Sequence, residues 1–159
     1  MKKKKTWKEK LLDSKDLPKV VTIDGNLSKR WGEGTCVIPA PLEVDGIINK
    51  IRKGKLLTIN EIRENLAKKH GTTIACPITT GIFALIATHA AEEDREQGKK
   101  KITPWWRVLK SGGLLNEKYP GGIENQMRLL EDEGHKMVKK GKNNFIVFDY
   151  KKKIAVLNK

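Results

Sequence analysis

Apolar residues recur at helical spacing through the middle of the 159-residue chain. Leu42, Ile47, Ile48 and Ile51 follow Pro41 and predict a first helix, closed by Gly54. Thr58-Ile-Asn-Glu61 has the form of a capping box, in which hydroxyl and carboxylate satisfy the orphan amides of a helix start reciprocally. Ile59, Ile62 and Leu66 then form one face of a second helix ending at His70-Gly71. A third helix opens near Pro77, a residue suited to a first helical turn. It runs through Ile78, Ile82, Leu85, Ile86 and Ala90 to about Gln97, with Gly98 as the stop. Ile123, Met127 and Leu130 predict a fourth, stopped by Gly134.

The ends read differently. Trp7 and Leu11 give Thr6 to Ser14 the face of a short helix. Lys19 to Ile23 and Thr35 to Ile38 read as strands around the Asp24-Gly25-Asn26 turn. Phe145 to Phe148 and Ile154 to Leu157, separated by Lys151 to Lys153, suggest a hairpin. Helix, short link and apolar helix is the outline of a helix-turn-helix, and the Lys110-Ser-Gly-Gly113 turn offers a wing. The expected class is α+β. A winged helix-turn-helix-like helical core (42–134) would carry a small antiparallel sheet made by a basic N-terminal extension (1–41) and a basic C-terminal β-hairpin extension (135–159).

Charge sharpens this division. The chain has 33 basic and 19 acidic side chains, a formal net charge of +14. Residues 1–35 are net +5, 36–134 net +2 and 135–159 net +7, so the excess lies in the ends. An anionic partner follows, nucleic acid ahead of membrane. With 27 Lys against 6 Arg, the excess suits phosphate better than base reading. No apolar run approaches the roughly 18 residues that span a bilayer, and no apolar stretch follows the basic Lys2 to Lys5, so neither a membrane partner nor a secretory signal is expected. Cys36 and Cys76 are too few for a disulfide framework, which fits a reduced, cytoplasmic setting. His70, His89 and His135 show no metal spacing with them, and no glycine loop cradles phosphate, so neither metal nor cofactor is expected.

Several residues resemble a known family in its own order: Arg52-Lys-Gly-Lys55 with Thr58 and Glu61-Ile62, Gly81, Pro104 with Arg107 and Val108, Gly121-Gly122, and Leu129-Leu130 with Glu133-Gly134. From about Leu42 to Gly134 the chain is similar to the DNA-binding, active-site domain of the methylated-DNA–protein cysteine methyltransferases, and closer to their non-catalytic relatives, the alkyltransferase-like proteins. The family's acceptor motif is Pro-Cys-His-Arg-Val; here it reads Pro104-Trp105-Trp106-Arg107-Val108. Trp105 stands at the alkyl-accepting Cys and Trp106 at its His partner. Thiolate is the chemistry, and indole cannot supply it. The resemblance therefore implies no enzyme, but a protein that recognises alkylated bases and flags them for repair without alkyl transfer. Its implied partners are double-stranded DNA, met in the minor groove, and a repair-pathway protein. A general nucleic-acid-binding or regulatory module without damage sensing is the alternative reading. An enzyme built on Cys76 is a third.

By the same resemblance, Thr79, Thr80 and Gly81 open the recognition helix and contact DNA, with Arg107 and with Lys110 and Ser111 of the wing. Ile59, Pro104, Trp105, Trp106 and Glu133 mark the former active-site pocket. Ile59 aligns with a Tyr that helps turn out a nucleotide, Ile78 or Thr79 with an intercalating Arg, and Gln97 with a hinge Asn. Each residue also has a structural reading. Trp105 either lines a pocket or plugs it. Arg107 either meets DNA or holds nearby carbonyls. The third helix, nearly surrounded by Ile78, Ile82, Phe83, Leu85 and Ile86, is either exposed at its start or buried throughout. Adjacent Trp residues in an extended segment point to opposite faces. Glu133 is placed to accept the Trp106 N–H. Glu92-Glu-Asp94 and Glu96 would repel DNA.

Overall fold

The structure, a computed structural model, describes residues 4–157. Thr6 opens helix α1 (Trp7–Leu12) with a capping box to Glu9. Strand β1 (Lys19–Ile23) leads through a short helix α2 (Asn26–Trp31), which buries no residue, into β2 (Gly34–Ile38). Helix α3 (Pro41–Asn49) follows. Its buried face is Val44, Ile47 and Ile48, whereas Leu42, expected on that face, is exposed. After β3 (Leu57–Thr58), helix α4 (Ile59–His70) begins on the expected capping box. Thr58 Oγ1 accepts the Asn60 N–H at 3.2 Å, and Glu61 Oε1 accepts the Thr58 N–H at 2.9 Å. Gly71, left-handed at φ 66°, ends it.

Strand β4 (Ile74–Ala75) introduces the long helix α5 (Pro77–Glu96), which has Pro at its first position. A 3-10 turn (Trp105–Arg107) precedes β5 (Val108–Leu109), and a second such turn (Ser111–Gly113) follows it. Helix α6 (Gly122–Asp132), strands β6 (Met137–Lys140) and β7 (Asn144–Val147), and a last 3-10 turn (Tyr150–Lys153) complete the chain. The four helices of the middle stand where the periodicity puts them. Among the described residues no helix is long and apolar enough to cross a membrane.

The class is α+β, but the sheet differs from expectation. The two ends do not share one antiparallel sheet. The antiparallel pair β1–β2 is extended by β4 in parallel, with Cys36 opposite Ile74 and Val37 opposite Ala75. Strands β3 and β5 form a separate parallel pair. The C-terminal hairpin joins β6 to β7, with Met137 opposite Val147, and not β7 to the last residues. Ile154, read as hairpin, bridges Leu56 in parallel instead. Lys139-Lys140 carries no apolar alternation to mark a strand, yet on an exposed edge charged side chains sit comfortably in one.

One cluster of buried side chains spans α1, α3, α4 and α5. Leu11 and Val37, from the first 41 residues, belong to it with Val44, Ile48, Ile62, Leu66, Ala84, Ala87 and Trp105. The N-terminal helix is anchored by polar groups as well. Glu93 of α5 accepts the N–H of Trp7 at 3.0 Å and of Lys8 at 2.8 Å. Trp7 stacks on His89 at 4.4 Å, and Lys8 pairs with Asp94. A second cluster gathers Leu56, Leu109, Leu115, Leu130 and Val147 between α6 and the hairpin.

His135 joins these parts at a cost. It is 4% exposed, and neither ring nitrogen has a hydrogen-bond partner. Burial lowers its pKa, Lys153 and Arg107 push the same way, and Glu133 opposes them. A folded-state value below the unfolded one means that protonation favours the unfolded chain. Stability is then complete above the unfolded His value and is lost as pH falls through it. The denaturation midpoint is therefore expected to fall between about pH 7.5 and 5.5. His135→Phe should shrink that fall and leave the part due to His89, whose pKa burial also lowers.

Candidate nucleic-acid interface

Helix α5 packs through its small residues. Thr80, Ala84, Ala87, Thr88 and Ala91 recur at helical spacing and are buried, which lets neighbouring backbones approach closely. The bulky residues that seemed to surround the helix therefore turn outward at its start: Ile78 is 58% and Ile82 50% exposed. Thr80, expected at the DNA, faces the core instead with its hydroxyl unpartnered. Thr79 is half-buried with its hydroxyl enclosed. Gly81 is half-buried between the two exposed isoleucines, and a Cβ there would meet nothing within 4 Å. Cys76 precedes the helix without a side-chain cap, so the first turn presents amide N–H groups. Beside this turn lies a cleft of about 290 Å3 lined by Ile78, Gly81, Ile82, Asn116, Lys118 and Tyr119.

Behind the cleft, the segment Pro104 to Val108 is closed. Pro104 and Trp105 are buried. The two Trp residues lie in one 3-10 turn and not in an extended strand. Both indoles turn inward, edge to face, with ring centroids 5.8 Å apart and planes at 83°. Trp105 is wholly enclosed. Its edge meets Tyr119 at 5.9 Å, and its N–H donates to Glu92 Oε2 at 3.0 Å. Trp105 presents no surface to the cleft. Ile59, half-buried at the first position of α4, packs against the same core.

Glu133 gathers the other side of the turn. It accepts the Trp106 N–H at 3.0 Å, as its position suggested, and also Arg107 Nε at 2.9 Å and Nη2 at 2.7 Å. Arg107 Nη1 donates to the Ile51 carbonyl at 2.6 Å. Arg107, expected among the DNA contacts, is thus committed to a carboxylate and a carbonyl inside the fold. Burial raises the Glu133 pKa, but the bonds from Arg107 and Trp106 outweigh it and hold the carboxyl below its usual value.

Lys110 and Ser111, expected in a wing, lie toward the surface. Lys110 pairs with Glu117 at 3.3 Å, and Ser111 Oγ accepts Asn60 Nδ2 at 2.9 Å, which ties the turn to α4. The glycine that ends this turn is obligatory. Gly113 has φ 82° and lies so close to the Tyr150 ring that a Cβ would overlap it. The acidic stretch of α5 is not a bare repulsive patch. Glu92 holds Trp105 and Arg95, Glu93 caps α1, and Asp94 pairs with Lys8 and Lys99.

Periodicity missed one residue of consequence. Gln126 is fully buried in α6; its Nε2 donates to the Trp106 and Val108 carbonyls at 3.1 and 2.9 Å, and its Oε1 accepts the Asn116 N–H at 2.8 Å. The signal was its place on the apolar face between Ile123 and Leu130. Cys36 and Cys76 are buried together with Ile23, and burial pushes Cys36 up to about 11.

The fold is shared with an alkyltransferase-like protein. The chain is similar in structure to S. pombe Atl1 in complex with damaged DNA containing O6-carboxymethylguanine, with 19% identity and a TM-score of 0.51. It is likewise similar to S. pombe ATL in complex with DNA, with 20% identity and a TM-score of 0.54. Each likeness covers 74% of this chain and 94% of the other. No family model and no curated protein matches the sequence.

Removing the carboxylate tests how far this region holds itself together. Glu133→Gln leaves Arg107 unpaired in a largely buried place and should cost about 3 kcal/mol of unfolding free energy. Denaturant titration reads the loss, which is that of the charge match, since the Gln oxygen can still accept the Trp106 N–H. A variant as stable as the parent would show that Arg107 finds solvent instead.

Proposed function

We propose that the chain is a non-catalytic DNA-binding protein of the alkyltransferase-like kind, which recognises alkylated bases and flags them for repair. The observation that carries this reading is the pairing of a shared fold with a closed acceptor turn. The residue that the resemblance sets at the acceptor position, Trp105, is a buried indole bonded to Glu92, and indole does not supply the nucleophile of alkyl transfer. In this reading α4 and α5 are the helix-turn-helix pair, residues 110–113 serve as the wing, and residues 42–134 form the unit that meets the duplex. The first turn of α5 enters the minor groove. Its exposed Ile78 and Ile82 press on the base edges as apolar wedges, Gly81 permits close approach, and the amides of the turn meet phosphate. Lys118 beside the cleft and Lys110 and Ser111 of the wing add backbone contacts. The Lys-rich ends supply most of the salt-dependent affinity. A repair-pathway protein then reads the complex.

Binding to a short duplex with and without O6-methylguanine, across a salt series, tests the proposal. Tighter binding to the lesion is expected. Equal binding with a steep salt slope would leave only a general nucleic-acid-binding module, and no binding at low salt would remove both. Mass spectrometry after incubation with alkylated DNA should find no added methyl group on Cys76. The C-terminal contribution is best tested by charge and not by deletion, because Val147 of the hairpin is buried in the second cluster. Replacing Lys139, Lys140 and Lys142 with Gln should lower the slope of log affinity against log salt by roughly 0.9 for each phosphate no longer neutralised, with lesion preference retained.

A further inference from the structure

A second charged surface lies between the turn after α3 and the C-terminal segment. The turn after α3 carries Arg52, Lys53 and Lys55, all exposed, and the C-terminal segment carries Lys153. These groups are distant in sequence, but a parallel bridge between Leu56 and Ile154 brings them side by side. The Leu56 N–H donates to the Lys153 carbonyl at 2.9 Å, and the Ala155 N–H to the Leu56 carbonyl at 2.7 Å. Between the two segments runs a groove of about 460 Å3, lined by Arg52, Lys55, Ile154, Ala155 and Val156. Among the described residues none of these four cations has an ion-pair partner. The nearby carboxylates are already engaged, Glu133 by Arg107 and Asp149 by Lys152. Among the described residues Val156, at 81%, is the most exposed large apolar side chain.

The mixture of charge and aliphatic surface decides what such a groove fits. A phosphate backbone needs the cations and gains nothing from Ile154 and Val156. A nucleobase would need an aromatic platform, and no aromatic ring lines the groove. A peptide with carboxylates on either side of a branched aliphatic residue uses both features at once. We propose that this groove docks a short acidic peptide segment of a partner protein. Carboxylates would pair with Arg52 and Lys55, and an aliphatic side chain between them would rest on Ile154 and Val156. The groove shares no lining residue with the cleft beside the first turn of α5, so a peptide seated in it leaves that cleft free.

The test uses the full chain and a labelled acidic peptide with a central leucine, read by fluorescence anisotropy. A second peptide with serine in place of the leucine, and an unmodified duplex, are measured alongside. The leucine peptide should bind at least about tenfold tighter than the serine peptide. The double variant R52A/K55A and, separately, Val156→Ser should each weaken it by about tenfold or more, with circular dichroism unchanged and duplex binding retained. Absence of peptide binding, equal binding of the two peptides, or variants that leave peptide affinity intact would overturn the proposal. So would R52A/K55A lowering duplex affinity while sparing the peptide, which would assign the groove to nucleic acid. Because the duplex arm is separate, a failure of the DNA reading and a failure of this one are told apart.

Discussion

Glu133 is the constraint on which this part of the molecule depends. A carboxylate so nearly enclosed is tolerated only with its charge matched and its lone pairs occupied. Arg107 matches the charge, and the Trp106 N–H takes another position. The same guanidinium reaches the Ile51 carbonyl, so one ion pair fixes the end of α6, the 3-10 turn and the segment after α3 at once. Gln126 secures the other flank by holding the Trp106 and Val108 carbonyls. The turn is therefore rigid for reasons that owe nothing to a reaction.

Rigidity at the turn and exposure on α5 have a common origin. Trp105 fills the space behind α5, and the helix meets that bulk with Ala and Thr. The large aliphatic residues of α5 are then surplus to the core near its start and appear at the surface. Small residues on the inward face of α5 thus leave its large aliphatic ones to the outward face. The far half of α5 is governed by another need. Its carboxylates hold α1 and Trp105, so Glu92 and Glu93 are engaged within the fold.

Much of this is legible in the residues, and the departures have physical causes. Helices α3 to α6 follow from apolar spacing with Pro, Thr-x-x-Glu and Gly at their ends, because these are local effects. The family order points to the turn at Trp105, and the Trp106–Glu133 bond follows from that alignment. Strand pairing is not legible because β2–β4 and the Leu56–Ile154 bridge join distant segments, and nothing in a local pattern specifies them. The orientation of α5 is hidden because Ile outranks Ala in hydrophobicity, while close packing against Trp105 favours the smaller side chain. Arg107 looks like a contact for DNA as long as its carboxylate partner, 26 residues away, is out of sight.

The docking of α1 on α5 also orders events in the life of the chain. The amides that open α1 are capped by a carboxylate 86 residues further along. During synthesis, the N-terminal helix has no binding site until α5 has left the ribosome, and its apolar face at Trp7 and Leu11 is open until then. The lysines in and around that helix favour solubility while the face is open, a use of charge that precedes any encounter with a ligand.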